Sequence, residues 1–453
     1  MEASPRAAAS GQPFSDRVLV LFVTQVVTAG VGIFNGFVLA RLLGPAAKGD
    51  YYLLTLLPST IMVVVQLGLP QAFGFFAARG QTEGLTRKSL LLTAAIALPA
   101  LAAAILLLPV LQTTFMAGLE TSHILFALLA LPLALNATYT TGIVLGRQAV
   151  RWYAGVNITQ VIGYSVLLVV LVAVLGLGLP GALFIFVAIT CVQAAGFLIG
   201  SARVTARHLD PRPAAVGVRD LFRYGLRLYP AIITQFFSYR ADVFMLAFLV
   251  PDASAPLGYY SMGVSMAEMV FFFPNAVAIL LFPHVAGSVR EDSDRQVPVV
   301  ARVTLLMTAF FGLALVPVAT ILITVILPDF TPALPALYIL LPGVVVFSIA
   351  KVLSGYLTGL GRTGLTSTVA VSSFVLNIAL NLMLIPRFGI LGAAASSLIS
   401  YSASSITFSI IASRIAHAGV LDFWIPRWGD VKYTVGTIVT FGRRLLRKVA
   451  GSA

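Results

Sequence analysis

The stretch "LARLLGPAAKGDYYLL" (39–54) reads as the end of one apolar helix, a turn carrying proline, Gly-Tyr elements, and the start of a second apolar helix. A later stretch, "LAFLVPDASAPLGYYSM" (246–262), runs through the same order. A second pair follows. "IVLGRQAVRW" (143–152) and "YLTGLGRTGLTS" (356–367) both carry a Leu-Gly-Arg turn after an apolar run. The two offsets are about 207 and 215 residues, so the order is kept over half the chain. The chain is therefore expected to consist of two similar halves.

Composition says what the halves are made of. The 453 residues are 59% hydrophobic and 10% charged, with a mean hydropathy of +0.99. Soluble domains carry about 25% charged residues. A spanning helix needs about 20 mostly apolar residues. On that basis twelve spans are expected, near 18–41, 51–71, 89–111, 122–145, 155–177, 181–202, 221–249, 257–283, 299–327, 334–359, 365–386 and 390–413. The expected fold is an all-α polytopic membrane protein, with two six-helix bundles related by a pseudo-twofold axis along the membrane normal. Its parts are a short N-terminus (1–17), an N-lobe (18–202), a linker (203–220), a C-lobe (221–413) and a basic tail (414–453). Repeats of this kind place a transported substrate between them and rock about it.

The net charge of +13 is a topology signal. Of the 29 Lys and Arg residues, only Arg41, Lys48 and Arg387 fall in turns on one side, and Arg227, Arg240 and Lys351 fall within spans. All the others lie on the opposite side. The positive-inside rule then puts both termini in the cytoplasm, and nucleic acid is not needed to explain the charge. The first fifteen residues do not read as a signal peptide. Cys191 is the one cysteine, which excludes an internal disulfide and a Cys-based metal site. The tail "FGRRLLRKVAGSA" is too basic to span; an interfacial helix on anionic lipids and a frayed end are both open readings. "GLGRTG" (359–364) matches G-x-G-x-x-G but lies in a turn between two spans, without the strand a dinucleotide site requires.

Charges inside spans are costly and mark function by default. In "FFSYRADVFMLAF" (236–248), Asp242 shares a helix face with Gln235, Ser238 and Tyr239, flanked by Arg227 and Thr234. Arg240 points about 200° away unless a kink near Pro230 or a local irregularity redirects it. Span eight supplies Glu268. Span ten supplies Lys351 beside Ser348, Ser354, Gly355 and Thr358. Span one contributes Thr24, Thr28 and Asn35. One reading is a water-filled cavity in which Arg240, Lys351 and Arg227 attract an anionic group while Asp242 and Glu268 balance charge or carry a coupling proton. The polar residues of spans one, seven and ten would line it. The other reading is an Arg240–Glu268 ion pair that only holds the bundle. His284 is read as interfacial. No catalytic constellation, metal cluster or cofactor motif stands out, so an enzyme is not expected.

Twelve spans in two halves, the 39–54 junction, "SYRADVFMLAF" in span seven and "GYLTGLGRTG" after span ten resemble the polysaccharide flippases. That family belongs to the superfamily of MATE exporters and lipid II flippases. The resemblance implies alternating-access transfer of a polyprenyl-diphosphate-linked oligosaccharide across the cytoplasmic membrane for surface polysaccharide assembly. Arg240 and Lys351 would meet the diphosphate or an acidic sugar, H+ or Na+ would be the coupling ion, and polysaccharide-assembly enzymes would be neighbours. Two departures narrow the field. Lipid II flippases usually carry two further spans. Proton-coupled exporters typically keep a carboxylate in span one, and residues 18–40 hold none. A MATE-like multidrug exporter remains the alternative.

Overall fold

The computed structural model describes residues 14–114, 116, 118–206, 216–275, 277–278 and 290–430. Among them there are helices and turns but no strand. That follows from the solvent: in lipid, a single segment satisfies its backbone N–H and C=O groups only by coiling on itself. Nine helices among the described residues are long and apolar enough to cross a membrane. A tenth is counted if Ile232–Ser238 and Arg240–Leu249, bent by 52°, form one span. The chain is a multi-pass helical membrane protein.

The difference from the twelve expected spans has a local origin at two places. The first two expected spans are two helices that meet at a kink at Gly44 (φ 74, ψ 174), labelled together as α1 (Phe14–Val65). That conformation is open to glycine and closed to residues with a Cβ, and Pro45 then restarts the helix with its φ already set. The expected turn at 42–50 is thus a single-residue break. The eighth expected span begins as α10 (Ser254–Met269), 16 residues long, and residues 279–289 lie outside the described part.

The chain divides into two compact units, Met1–Ile233 and Thr234–Ala453. In the first, α1 is followed by α2 (Leu69–Ala78), α3 (Leu85–Leu106), α4 (Leu108–Thr113), α5 (Thr121–Leu128), α6 (Ala130–Gly146), α7 (Val150–Leu167), a π-helical turn (Leu168–Val174) and α8 (Gly178–Ala206). Helix α6 packs against α2, α3 and α8, and α1 lies along α7. Leu69, Phe73, Leu135, Tyr139 and Ile143 form one core.

The division falls inside α9 (Val218–Leu249), beyond the expected linker, because the start of that helix is tied to the first unit. Lys88 Nζ donates to Val216 O at 2.7 Å, and Tyr224 stacks on Phe75 at 4.3 Å. Tyr229 Oη donates to Val64 O, an end carbonyl of α1 that its own helix leaves unpaired. Gly68 (φ 67) separates α1 from α2, and a Cβ there would sit 2.2 Å from Gly225 O. Only a pair of glycines permits that approach.

The second unit contains α10, α11 (Arg290–Ile321), α12 (Ala333–Gly359), α13 (Thr363–Phe388) and α14 (Ile390–Ala416). Helix α12 packs against α10, α11 and α14, around Ile349, Leu353, Tyr356 and Phe408. The glycine motif at 359–364 is the turn between α12 and α13, with Gly361 at φ 75. Beyond α14, residues 417–430 fold back on α11. Arg302 Nε donates to Asp430 Oδ2 at 2.5 Å, and its Nη1 donates to Asp422 O at 2.6 Å. The side chains of Arg302 and Asp430 are 4% and 7% exposed. Arg302, which reads as a topology marker in the sequence, is therefore the anchor of this segment. The basic end of the tail (431–453) and His284 lie outside the described residues.

Candidate functional site

In the second unit the charges expected to line a cavity find partners. Arg240 Nη1 donates to Glu268 Oε1 at 3.2 Å, with 27% and 35% of the two side chains exposed. The bend at residue 239, and not Pro230, separates the two arms of α9 and places Arg240 at the start of the second. Asp242 is 7% exposed. It accepts a hydrogen bond from Tyr260 Oη of α10, one from its neighbour Val243 N at 2.9 Å, and a long one from Ser397 Oγ of α14 at 3.5 Å. The two residues thus take different hydrogen-bond partners, while Asp242 stays within electrostatic reach of both Arg240 and Glu268.

Lys351 Nζ donates to Asn275 Oδ1 at 2.8 Å and stands 4.5 Å from the centre of the Phe271 ring and 5.5 Å from that of Phe347. Phe347 in turn stacks on Tyr401 at 4.6 Å. An ammonium over ring faces is held by their quadrupoles. Ser238 Oγ returns to Thr234 O in its own helix, and Ser348 is buried with no hydroxyl partner among the described residues. Ser354 is half-buried. The side chains of Gln235 and Tyr239 lie outside those described.

In the first unit Arg227 is exposed, and Thr24 is buried and bonded to Val20 O. Thr28 and Asn35 border a cavity of about 290 Å³ between α1, α7 and α8. Lys48, Tyr51, Asn157, Gln160 and Tyr164 also line it. Tyr51 and Tyr164 share a hydroxyl–hydroxyl contact of 3.3 Å. Lys48 Nζ lies 5.5 Å from the centre of the Tyr51 ring.

Lys48 and the α7 residues escape a reading of the sequence that treats Lys48 as a turn cation. The signal is present nonetheless. Asn157, Gln160 and Tyr164 recur at i, i+3 and i+7, one face of a helix, inside an otherwise apolar span. Thr28, Gly32, Asn35 and Gly36 form the matching stripe on α1.

Comparison with known proteins agrees with this architecture. The chain is 27% identical over 201 residues to the probable low-salt glycan biosynthesis flippase Agl15 of Haloferax volcanii, covering 43% of this chain and 42% of that protein. It is 21% identical over 259 residues to the uncharacterized membrane protein MJ1068 of Methanocaldococcus jannaschii, covering 54% and 50%. The chain thus spans half or less of the length of these relatives. Its fold is similar to that of the lipid II flippase MurJ in an inward closed conformation, with a TM-score of 0.65 at 13% identity over 95% of this chain and all of that one. It is also similar to an outward-facing multidrug resistance MATE family transporter of the MOP superfamily, with a TM-score of 0.57 at 15% identity over 88% and 96%. At such identities the likeness is one of fold. The family of polysaccharide biosynthesis proteins matches residues 15–287, more than half of the sequence, and the chain belongs to that family.

Proposed function

We propose that this protein flips a lipid-linked oligosaccharide, carried on a polyprenyl diphosphate, across the cytoplasmic membrane by alternating access. The observation that carries the reading is the family match over residues 15–287, together with the glycan flippase among the relatives. The helical fold shared with a lipid II flippase is consistent with it. Lys351, held by Phe271, Phe347 and Asn275, is the cation we assign to the diphosphate. Lysine serves phosphate as a point charge. Arg240 contributes by exchanging Glu268 for the substrate, and Arg227 supplies a further exposed cation. Asp242 and Glu268 balance these charges or carry a coupling H+ or Na+. Both termini are cytoplasmic. Anionic lipid contacts the basic tail, and polysaccharide-assembly enzymes act beside the transporter.

The test is flipping of a fluorescent polyprenyl-diphosphate oligosaccharide in proteoliposomes. Wild-type protein is expected to flip it, and Lys351→Ala to slow it at least tenfold while remaining folded. Absence of flipping, with uptake of organic cations instead, would replace this reading by multidrug export.

A further inference from the structure

We infer that the cavity of the first unit is a sugar-ring site that reads a carboxylate on the transported glycan, with Lys48 as its charge-selecting residue. The inference rests on the reading of the chain as a glycan flippase and adds the class of sugar.

The cavity holds one formal charge. Lys48 is its cation, and no carboxylate is among the lining residues described. Asp50, two residues further along α1, is not in the lining; residues two apart on a helix do not share a face. Lys48 Nζ lies 5.5 Å from the centre of the Tyr51 ring, a contact that holds a cation without consuming its hydrogen bonds. Ammonium donors in an apolar surrounding need acceptors, and an anionic ligand supplies them.

The remaining polar groups point the same way. Asn35 is 3% exposed, and its Nδ2 has no partner among the described residues. Its Oδ1 lies 2.9 Å from Ser165 Oγ, which is itself 3.0 Å from Val161 O. A hydroxyl carries one proton, so turning the amide over would satisfy Nδ2 and strand Oδ1 instead. In either orientation one buried polar atom of Asn35, a residue of the cavity wall, is unpaired among the described residues. Asn157 Nδ2 is used by Tyr153 O at 2.8 Å, which leaves its carbonyl oxygen as an acceptor. Gln160 contributes a second amide, and Tyr51 and Tyr164 contribute ring faces and a hydroxyl pair.

Donors and acceptors in alternation, beside aromatic rings, suit the hydroxyls and C–H faces of a sugar. The single cation suits one negative charge. A diphosphate carries more charge and draws several cations, which this cavity does not have. A volume of about 290 Å³ lies at the small end of ligand pockets, about 300–1,000 Å³, so it takes one ring and not a chain.

Purified full-length protein in detergent would be titrated with methyl β-glucuronide, methyl β-glucoside and inorganic pyrophosphate, following binding by saturation-transfer NMR. Glucuronide is expected to bind at least tenfold more tightly than glucoside. Lys48→Gln is expected to remove that preference, bringing the affinities for the two sugars to within about twofold of each other. Asn35→Asp, which puts a carboxylate on the wall of the same cavity and repels an anion, is expected to abolish glucuronide binding and serves if Lys48→Gln does not fold. Equal binding of the two sugars overturns the proposal. So does a preference that survives in a folded Lys48→Gln protein, or pyrophosphate binding more tightly than glucuronide. Flipping of a lipid-linked neutral oligosaccharide, with no glucuronide preference in the same preparation, overturns the site and leaves the flippase reading intact. Selective glucuronide binding without flipping of any lipid-linked glycan supports the site and removes the flippase reading.

Discussion

In the second unit Arg240 meets Glu268 at 3.2 Å and buried Asp242 accepts from Tyr260 and Ser397. In the first unit Lys48 meets the ring of Tyr51, and Asn35 keeps one polar atom without a partner among the described residues. Both units carry charged groups into apolar helices, but Arg240, Asp242 and Lys351 of one meet its own polar side chains, whereas Lys48 of the other faces a cavity. Desolvating a polar group costs free energy that only a partner offsets. Groups answered by the protein are expected to show in stability, and groups answered by a ligand in binding.

The largest effect is expected where a charge pair is most buried. Asp430→Ala strips Arg302 of its carboxylate and frees residues 417–430 from α11. Breaking a buried pair by removing one partner costs about 3–5 kcal/mol, to be read from the thermal midpoint in detergent. The pair also has a pH signature. Its hydrogen bond to Arg302 holds the Asp430 carboxyl below the ordinary carboxylate range. A depressed folded value means the contribution is complete above the unfolded value of about 3.9. It is lost as pH falls below about 4 towards the folded value. Asp430→Asn is expected to flatten the stability profile in that window alone. A variant as stable as wild type, with an unchanged acid limb, would show the second unit does not depend on its buried pairs.

Asp242→Ala comes next. Tyr260 would lose its acceptor in a buried place, at a cost of about 1–3 kcal/mol. Ser397, at 3.5 Å, adds little. Asp242→Asn keeps an acceptor for the tyrosine and is expected to recover most of the loss. If both variants unfold alike, charge and not hydrogen bonding holds this site.

Arg240→Ala should cost less, because the pair with Glu268 is a quarter to a third exposed. Exposed pairs contribute about 0.2–1 kcal/mol. A double-mutant cycle with Glu268→Ala isolates the coupling. A coupling above that range would make the pair a structural clamp and take Arg240 out of substrate binding.

These distinctions were unevenly legible in the sequence. Hydropathy marks the membrane class and ten of the spans, because burial in lipid acts on every residue of a helix. It also separates the first two spans, but it makes the turn between them nine residues long (42–50) where the structure has a break at the single residue Gly44. The angular offset of Arg240 from Asp242 is readable from 100° per residue, and the two side chains do find different partners. Pairings such as Arg302 with Asp430, 128 residues apart, are set by packing and have no local signature. Lys48 is the instructive case. Counting it as a turn cation rests on a turn of ordinary length, whereas Pro45 restarts the helix at once and carries Lys48 onto a cavity wall.

Lys48→Gln is the smallest expected change in stability and the one that tests the contrast between the units most directly. The substitution removes a charge whose contact is a ring face at 5.5 Å, a contribution of about 0.5 kcal/mol, and it returns a polar group of similar length. The thermal midpoint should therefore move little. The consequence should appear when a ligand is added: wild-type protein gains stability with rising glucuronide concentration, by mass action on the folded state, and Lys48→Gln does not. A loss above about 1 kcal/mol without ligand would mean that Lys48 is already answered by the protein. The two units would then treat their polar groups alike, and the cavity would lose its claim to a ligand.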